Sequence, residues 1–292
     1  MKKTIRIAAL IIAAALTAAL FTGCGGKKDP EDGGETTPAP EDGGKPELES
    51  LLDRLGYDYV RLDDALTDAE YVALFETELE KGRAEGYTPI LLPFTEGSGL
   101  LAESMGMRFD EGYDVSAELA KPLPNGEKVI ADRTAEFESS LKESIDSFFG
   151  DIPQNGLGEP DGSEGGDAGI AFGGITEAGY YGNAHVLLVK LPTDKPWEAA
   201  LYLPFGGFNE CPEPQDMAAV LKLWYEKYGA VPAVITHDML DMYLPAPLEE
   251  DSAAAAAREQ LAFDYDMVMF GEMLPYYVYT LTQARSWSFW WD

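Results

Sequence analysis

Val231-Pro232-Ala233-Val234-Ile235-Thr236-His237-Asp238-Met239-Leu240-Asp241-Met242-Tyr243-Leu244 decides the fold class. Two strand-length apolar runs, Val231 to Ile235 and Met239 to Leu244, flank the polar break Thr236-His237-Asp238, which predicts a hairpin. Upstream, Met217, Val220, Leu221, Trp224, Tyr225 and Tyr228 recur at helical spacing and stop at Gly229, a helix followed by its stop signal. Before that helix, His185-Val186-Leu187-Leu188-Val189 reads as a central strand bounded by Pro192. Downstream, the alanines from Ala253 to Ala257 open a helix through Leu261 and Phe263, and a last helix precedes Arg285. The chain then ends in Ser286-Trp287-Ser288-Phe289-Trp290-Trp291-Asp292, a strand whose Trp287, Phe289 and Trp291 share one face. Strand, helix, two strands, two helices, strand is the order of an α+β domain over residues 175–292, with helices on a mainly antiparallel sheet.

A smaller α/β module is expected over residues 47–150. Tyr57 to Leu62 reads as a strand, and Thr67-Asp68-Ala69-Glu70 as a capping box that starts a helix on Tyr71, Leu74, Phe75 and Leu79. Gly82 and Gly86 stop that helix before the buried-strand run Pro89-Ile90-Leu91-Leu92-Pro93, and Leu100 to Met105 and Thr134 to Phe149 read as further helices. Residues 151–174, rich in Gly, Asp, Glu and Pro, read as a linker or exposed loop. Asp161, Glu164 and Asp167 do not have the alternating spacing of an EF-hand, so no metal site is expected there.

The start of the chain carries an address. Lys2, Lys3 and Arg6 precede an apolar run from Ile7 to Leu20, the layout of an export signal over residues 1–23. As a helix that run spans ~21 Å, short against a hydrocarbon core of ~30 Å, which favours cleavage over a permanent span. Leu20-Phe21-Thr22-Gly23-Cys24 resembles the lipobox of bacterial lipoproteins. The resemblance implies lipidation of Cys24, with the bilayer as partner through the acyl anchor, on the outer face of the cytoplasmic membrane. Residues 24–46, with Pro30-Glu31-Asp32-Gly33-Gly34 repeated as Pro40-Glu41-Asp42-Gly43-Gly44, form a tether reaching ~25 Å.

Charge excludes one class of partner. Three of the 21 basic residues lie in the signal, so its removal moves the net charge from −31 to −34, which repels nucleic acid. The two cysteines are Cys24 and Cys211, so lipidation of the first leaves Cys211 without a partner for a disulfide.

Pro196-Trp197, Gly206-Gly207-Phe208-Asn209-Glu210-Cys211-Pro212, Trp224-Tyr225-Glu226-Lys227-Tyr228-Gly229-Ala230, His237-Asp238-Met239-Leu240, Arg258-Glu259-Gln260-Leu261-Ala262-Phe263 and the aromatic ending occur in one order. In this order they resemble the bacterial DUF4253 family, as Gly86-Tyr87-Thr88-Pro89-Ile90-Leu91-Leu92 resembles its N-terminal part. The family name supplies a fold and no activity.

The sequence holds no Walker loop, no Gly-x-Gly-x-x-Gly and no His-Glu-x-x-His, and neither a cofactor nor a metal is expected. The candidate catalytic residues are Cys211, as a thiol nucleophile, with His237 and Asp238. As neighbours on a strand the latter two are expected to point to opposite faces and not to pair. Candidate binding residues are Trp197, Phe208, Asn209, Trp287 and Trp290. For the aromatic ending the alternatives are core packing and a ligand platform. The leading expectation is a noncatalytic binding or interaction protein with a protein, peptide or small-molecule ligand. The alternative is a thiol-dependent hydrolase or transferase using Cys211.

Overall fold

A computed structural model describes residues 46–62, 66–95, 99–149, 172–175, 184–268 and 274–291. The expected signal, Cys24, the tether up to residue 45, and residues 151–171 of the expected linker lie outside them.

The chain is α+β, built on one mixed, mostly antiparallel sheet. Its strands are β1 (Asp58–Arg61), β2 (Thr88–Thr95), β3 (Ala184–Leu191), β4 (Val231–Ile235), β5 (Met239–Tyr243) and β6 (Ser286–Trp290), in the spatial order β1-β3-β2-β4-β5-β6. Every neighbouring pair is antiparallel except β2 with β4, which are parallel. The hairpin expected from the deciding stretch is β4–β5, and β6 closes the sheet against β5 with Trp287 opposite Met242 and Phe289 opposite Leu240.

The boundary placed between residues 150 and 175 does not divide this sheet. β3 from the second half lies between β1 and β2 of the first, and residues 47–292 form one compact unit. The physical reason lies in β2, which is buried on both faces and therefore needs a neighbour on each edge and helices above and below.

The helices are α1 (Glu47–Leu55), α2 (Asp68–Glu85), α3 (Leu100–Asp110), α4 (Val115–Leu119), α5 (Gly126–Leu141), α6 (Ala199–Tyr202), α7 (Pro214–Tyr228), α8 (Glu250–Phe263) and α9 (Leu274–Leu281). The Thr67–Glu70 capping box is formed, and Gly86 ends α2 in the left-handed conformation. The helix read from Thr134 to Phe149 instead starts at Gly126 under an Asn125 cap and stops at Leu141, and a separate single turn covers Ile145–Phe148. A Cβ on Gly126 would sit 2.5 Å from the Ala219 carbonyl, so this glycine lets α5 approach α7.

Period-two alternation sends strand residues to two cores. Leu187, Val189, Leu240, Met242, Trp287 and Phe289 meet α1, α3, α5, α7, α8 and α9 on one face. Val186, Leu188, Leu91 and Tyr243 meet α2 on the other, together with Phe172 and Ile175. Residues 172–174, expected in an exposed linker, are thus packed: Phe172 is 2% exposed because its ring fills the space over Phe75.

Candidate functional site

The motif Gly206-Gly207-Phe208-Asn209-Glu210-Cys211-Pro212 is a tightly folded turn. Gly206, Gly207 and Asn209 have φ of 89°, 71° and 45°, conformations that glycine and asparagine tolerate best. The Gly207 N–H donates to the carbonyls of Cys211 and Pro212 at 3.1 and 3.2 Å, and the Cys211 N–H to that of Phe208 at 2.9 Å. A Cβ on Gly206 would lie 3.0 Å from the Cys211 sulfur and 2.4 Å from the Pro212 oxygen. The loop therefore turns the thiol inward, where Cys211 is 4% exposed.

Arginines from the N-terminal half hold this turn in place. Arg108 donates to the Gly206 carbonyl and, at 3.0 Å, to Glu213 Oε2. Arg133 donates to the carbonyls of Glu210 at 2.6 Å, Ala262 at 3.0 Å and Phe263 at 2.9 Å, with its guanidinium 4.8 Å from the centre of the Tyr265 ring.

At the end of the sheet where β4, β5 and β6 meet, two carboxylates converge on the terminal strand. Asp264 follows α8 and is buried; its Oδ2 accepts the Trp290 N–H and its Oδ1 the Asp266 N–H, each at 3.1 Å. Asp238 accepts the Trp290 indole N–H at 3.1 Å through Oδ2 and the Thr236 hydroxyl at 2.9 Å through Oδ1. The Trp291 N–H donates to the Asp238 carbonyl at 3.0 Å. His237 Nδ1 lies 3.2 Å from Asp238 Oδ1. This corrects the expectation that the two would not pair: they stand in the turn after β4, where strand alternation does not apply.

Burial sets the chemistry of this corner. It pushes the Asp264 carboxyl up to about 8, and burial together with the neighbouring Asp264 raises the Cys211 thiol, so both are held protonated near neutral pH. A protonated, enclosed thiol is a poor nucleophile. Tyr277 is likewise raised by burial and by Asp264; it donates to Gln260 Oε1, while Gln260 Nε2 and the indole N–H groups of Trp287 and Trp291 have no partner among the described residues.

The remaining candidates do not join one cleft. Trp197 packs against Tyr225 at 5.2 Å between ring centres, with the Lys222 ammonium 5.8 Å from its own ring centre. Phe208 is half-buried and Asn209 exposed on the Cys211 turn. Trp287 is buried among Trp224 and Tyr228, so of the two readings of the aromatic ending core packing describes its position. Near α7 a shallow groove of about 320 Å³ is bounded by Asn125, Gly126, Lys222, Leu223 and Glu226, and it contains no candidate residue.

Sequence reasoning passed over Asp241 and Asp264. The signal for Asp241 was present, a lone carboxylate inside the apolar run Met239-Leu240-Asp241-Met242-Tyr243; Asp264, just past a helix end, gave none. Among the described residues no group of three or more His, Cys, Asp or Glu could hold a metal.

The raised Asp264 carboxyl makes stability pH-dependent. The folded state keeps a proton that the unfolded chain releases near its ordinary value of 3.8, so the contribution is fully present below that value and is lost as pH rises through about 8. Unfolding free energies from urea titration are therefore expected to fall from pH 5 to 9, by on the order of a few kcal/mol in total. Asp264→Asn should reduce that slope without abolishing it, because Asp241 is raised as well. A slope of opposite sign, or one unchanged in the variant, would contradict the assignment.

Residues 187–292 match the family model described as a domain of unknown function, DUF4253, and the Gly86–Leu92 stretch lies outside the match. No curated protein and no solved structure matches the chain at a significant level. The match begins within β3 and takes in the Cys211 turn, α7, the β4–β5 hairpin, α8 and β6, the elements that build the corner around Asp264 and Asp238. The likeness to the DUF4253 family is thus carried by the C-terminal part of this chain, residues 187–292.

Proposed function

We propose that the chain is an exported lipoprotein, anchored through lipid on Cys24 to the outer face of the cytoplasmic membrane, whose folded part is a noncatalytic interaction module. The signal-like residues 1–23, the lipobox-like Leu20–Cys24 and the acidic tether support the address. Among the described residues no helix is long and apolar enough to cross a membrane.

One observation carries the noncatalytic reading. Cys211, the cysteine of the folded part, is buried behind a rigid turn with its thiol held protonated. The alternative, a thiol-dependent hydrolase or transferase at Cys211, needs a thiolate that substrate can reach. The motif side chains that do meet solvent, His237, Trp197 and Asn209, suit recognition of a protein, peptide or small molecule. The acidic charge disfavours nucleic acid.

The anchor and the noncatalytic reading are tested separately. In a bacterial host, labelled palmitate is expected on the wild-type chain and not on Cys24→Ser, which should move from the membrane to the soluble fraction. Native Cys211 is expected to resist alkylation until the chain unfolds. Turnover of a peptide, ester or glycan by the purified protein that Cys211→Ala abolishes would overturn the noncatalytic reading and leave the anchor untouched.

A further inference from the structure

Residues 172–175 include a helical turn laid on the sheet face that α2 also covers. The Ile175 N–H donates to the Phe172 carbonyl at 3.2 Å, and the Phe172 ring stands edge-on to Phe75, 5.6 Å between centres. A Cβ on Gly173 would lie 2.8 Å from Ser288 Oγ, and one on Gly174 would lie 3.0 Å from Thr236 Cγ2. Glycine alone lets backbone approach β4 and β6 this closely.

Beneath the turn is Asp241, 0% exposed, in the middle of β5 and directly opposite Ser288. Its Oδ2 accepts the Gly174 N–H at 2.9 Å, while Oδ1 has no partner among the described residues. Among the described residues no cation is paired with this carboxyl. β4 presents Val234, the residue after it, Thr236, also faces the turn, β6 presents Ser288, and the turn itself brings Gly173 and Gly174, none of them ionisable near neutral pH. Two nearby acidic groups have partners of their own: Glu76 of α2 holds Arg285 and Tyr243, and Asp238 holds Thr236 and Trp290.

We propose that the 172–175 turn is a proton-coupled strap, which docks over Asp241 with the carboxyl neutral and is released when Asp241 ionises. Covering a carboxyl removes it from water and disfavours its charged form, and hydrogen bonds from Ser288 and the Gly174 N–H only partly offset this. Burial accordingly pushes Asp241 up to about 7, with Ser288 and the Gly174 N–H pulling the other way. An uncovered Asp241 would return toward the ordinary carboxylate range, so docking takes up a proton and undocking gives it back.

Hydrogen–deuterium exchange of the 172–175 segment in the full chain tests this, between pH 5 and 9 and corrected for intrinsic rates. Protection is expected to fall about tenfold per pH unit from pH 5 to about 7, the slope of a one-proton linkage, and to level off above that, while β4 stays protected. In Asp241→Asn, which has no proton to lose, protection should be independent of pH. A flat wild-type profile, or the same slope in Asp241→Asn, overturns the proposal. Should that variant not fold, Phe172→Ala removes the anchor of the strap and leaves the carboxyl in place. Its Asp241 carboxyl, followed by carbon-13 titration, is then expected to titrate lower than in the wild type. An unchanged titration would show that the sheet alone buries Asp241, and the strap would lose its role.

Discussion

Residues 184–292, expressed without the N-terminal half, are expected to remain unfolded although they contain the whole of the family-matched segment. β3 pairs with β1 and β2 and with neither β4 nor β5, so in the fragment it has no partner strand. β4 loses its parallel neighbour in the same cut. The fragment also forfeits Ile90, Leu91 and Leu92, each 0% exposed. At ~1.5–3 kcal/mol for each fully buried side chain, these three alone amount to roughly 5–9 kcal/mol, against a typical total stability of about 5–15 kcal/mol. The carbonyls of Glu210, Ala262 and Phe263 would further lose their donor, Arg133. Amide NMR dispersion and far-ultraviolet dichroism should be native-like for residues 47–292 and collapsed for 184–292, and adding 47–149 in trans should restore part of the signal. A cooperative thermal transition from 184–292 alone would mean that the matched segment closes its own sheet.

The shared sheet marks where sequence reading runs out. Local periodicity is written within an element, so the hairpin at 231–244, the α7 face from Met217 to Tyr228 and the capping box at Thr67 could be read directly. Strand order is a property of pairs distant in sequence, and nothing in Tyr57 to Leu62 or His185 to Val189 says that these two segments lie side by side. Helix starts were misplaced where cap chemistry was passed over: Asn125 caps α5 through the Lys128 N–H at 2.8 Å, and the apolar residues used to find that helix began later. For the candidate site, burial of Cys211 depends on Gly206, Gly207 and Asn209 turning the loop and on Arg108 and Arg133 arriving from the other half of the chain. The turn residues were legible as a loop; the arginines were not, since side chains that serve distant carbonyls follow no pattern. His237 and Asp238 show the converse error, a strand rule applied to a turn.

Trp224→Ala is expected to be the most damaging single substitution in the family-matched region. The side chain is 0% exposed; its ring stacks on Phe289 at 5.3 Å and 12° and meets Phe263 and Trp287 edge-on at 4.9 and 5.5 Å. Its indole N–H donates to Glu259 Oε2 at 2.9 Å, a carboxylate that also takes Lys227 at 2.6 Å and Tyr228 at 3.4 Å. Truncation of a buried tryptophan costs about 3–5 kcal/mol. At ~2–4 °C per kcal/mol for a domain of this size, the melting temperature should fall by roughly 6–20 °C. Trp224→Phe separates the two contributions: it keeps a ring against Phe289 and removes the donor, and Glu259 still has Lys227 and Tyr228. It should therefore cost only about 1–2 kcal/mol. Calorimetry of both variants decides between ring packing and hydrogen bonding as the main contribution of this residue. Equal losses would place the weight on the Glu259 bond. A large loss confined to the alanine variant would place it on the aromatic stack that holds the terminal strand, leaving the Trp-rich ending explained by packing rather than by a ligand.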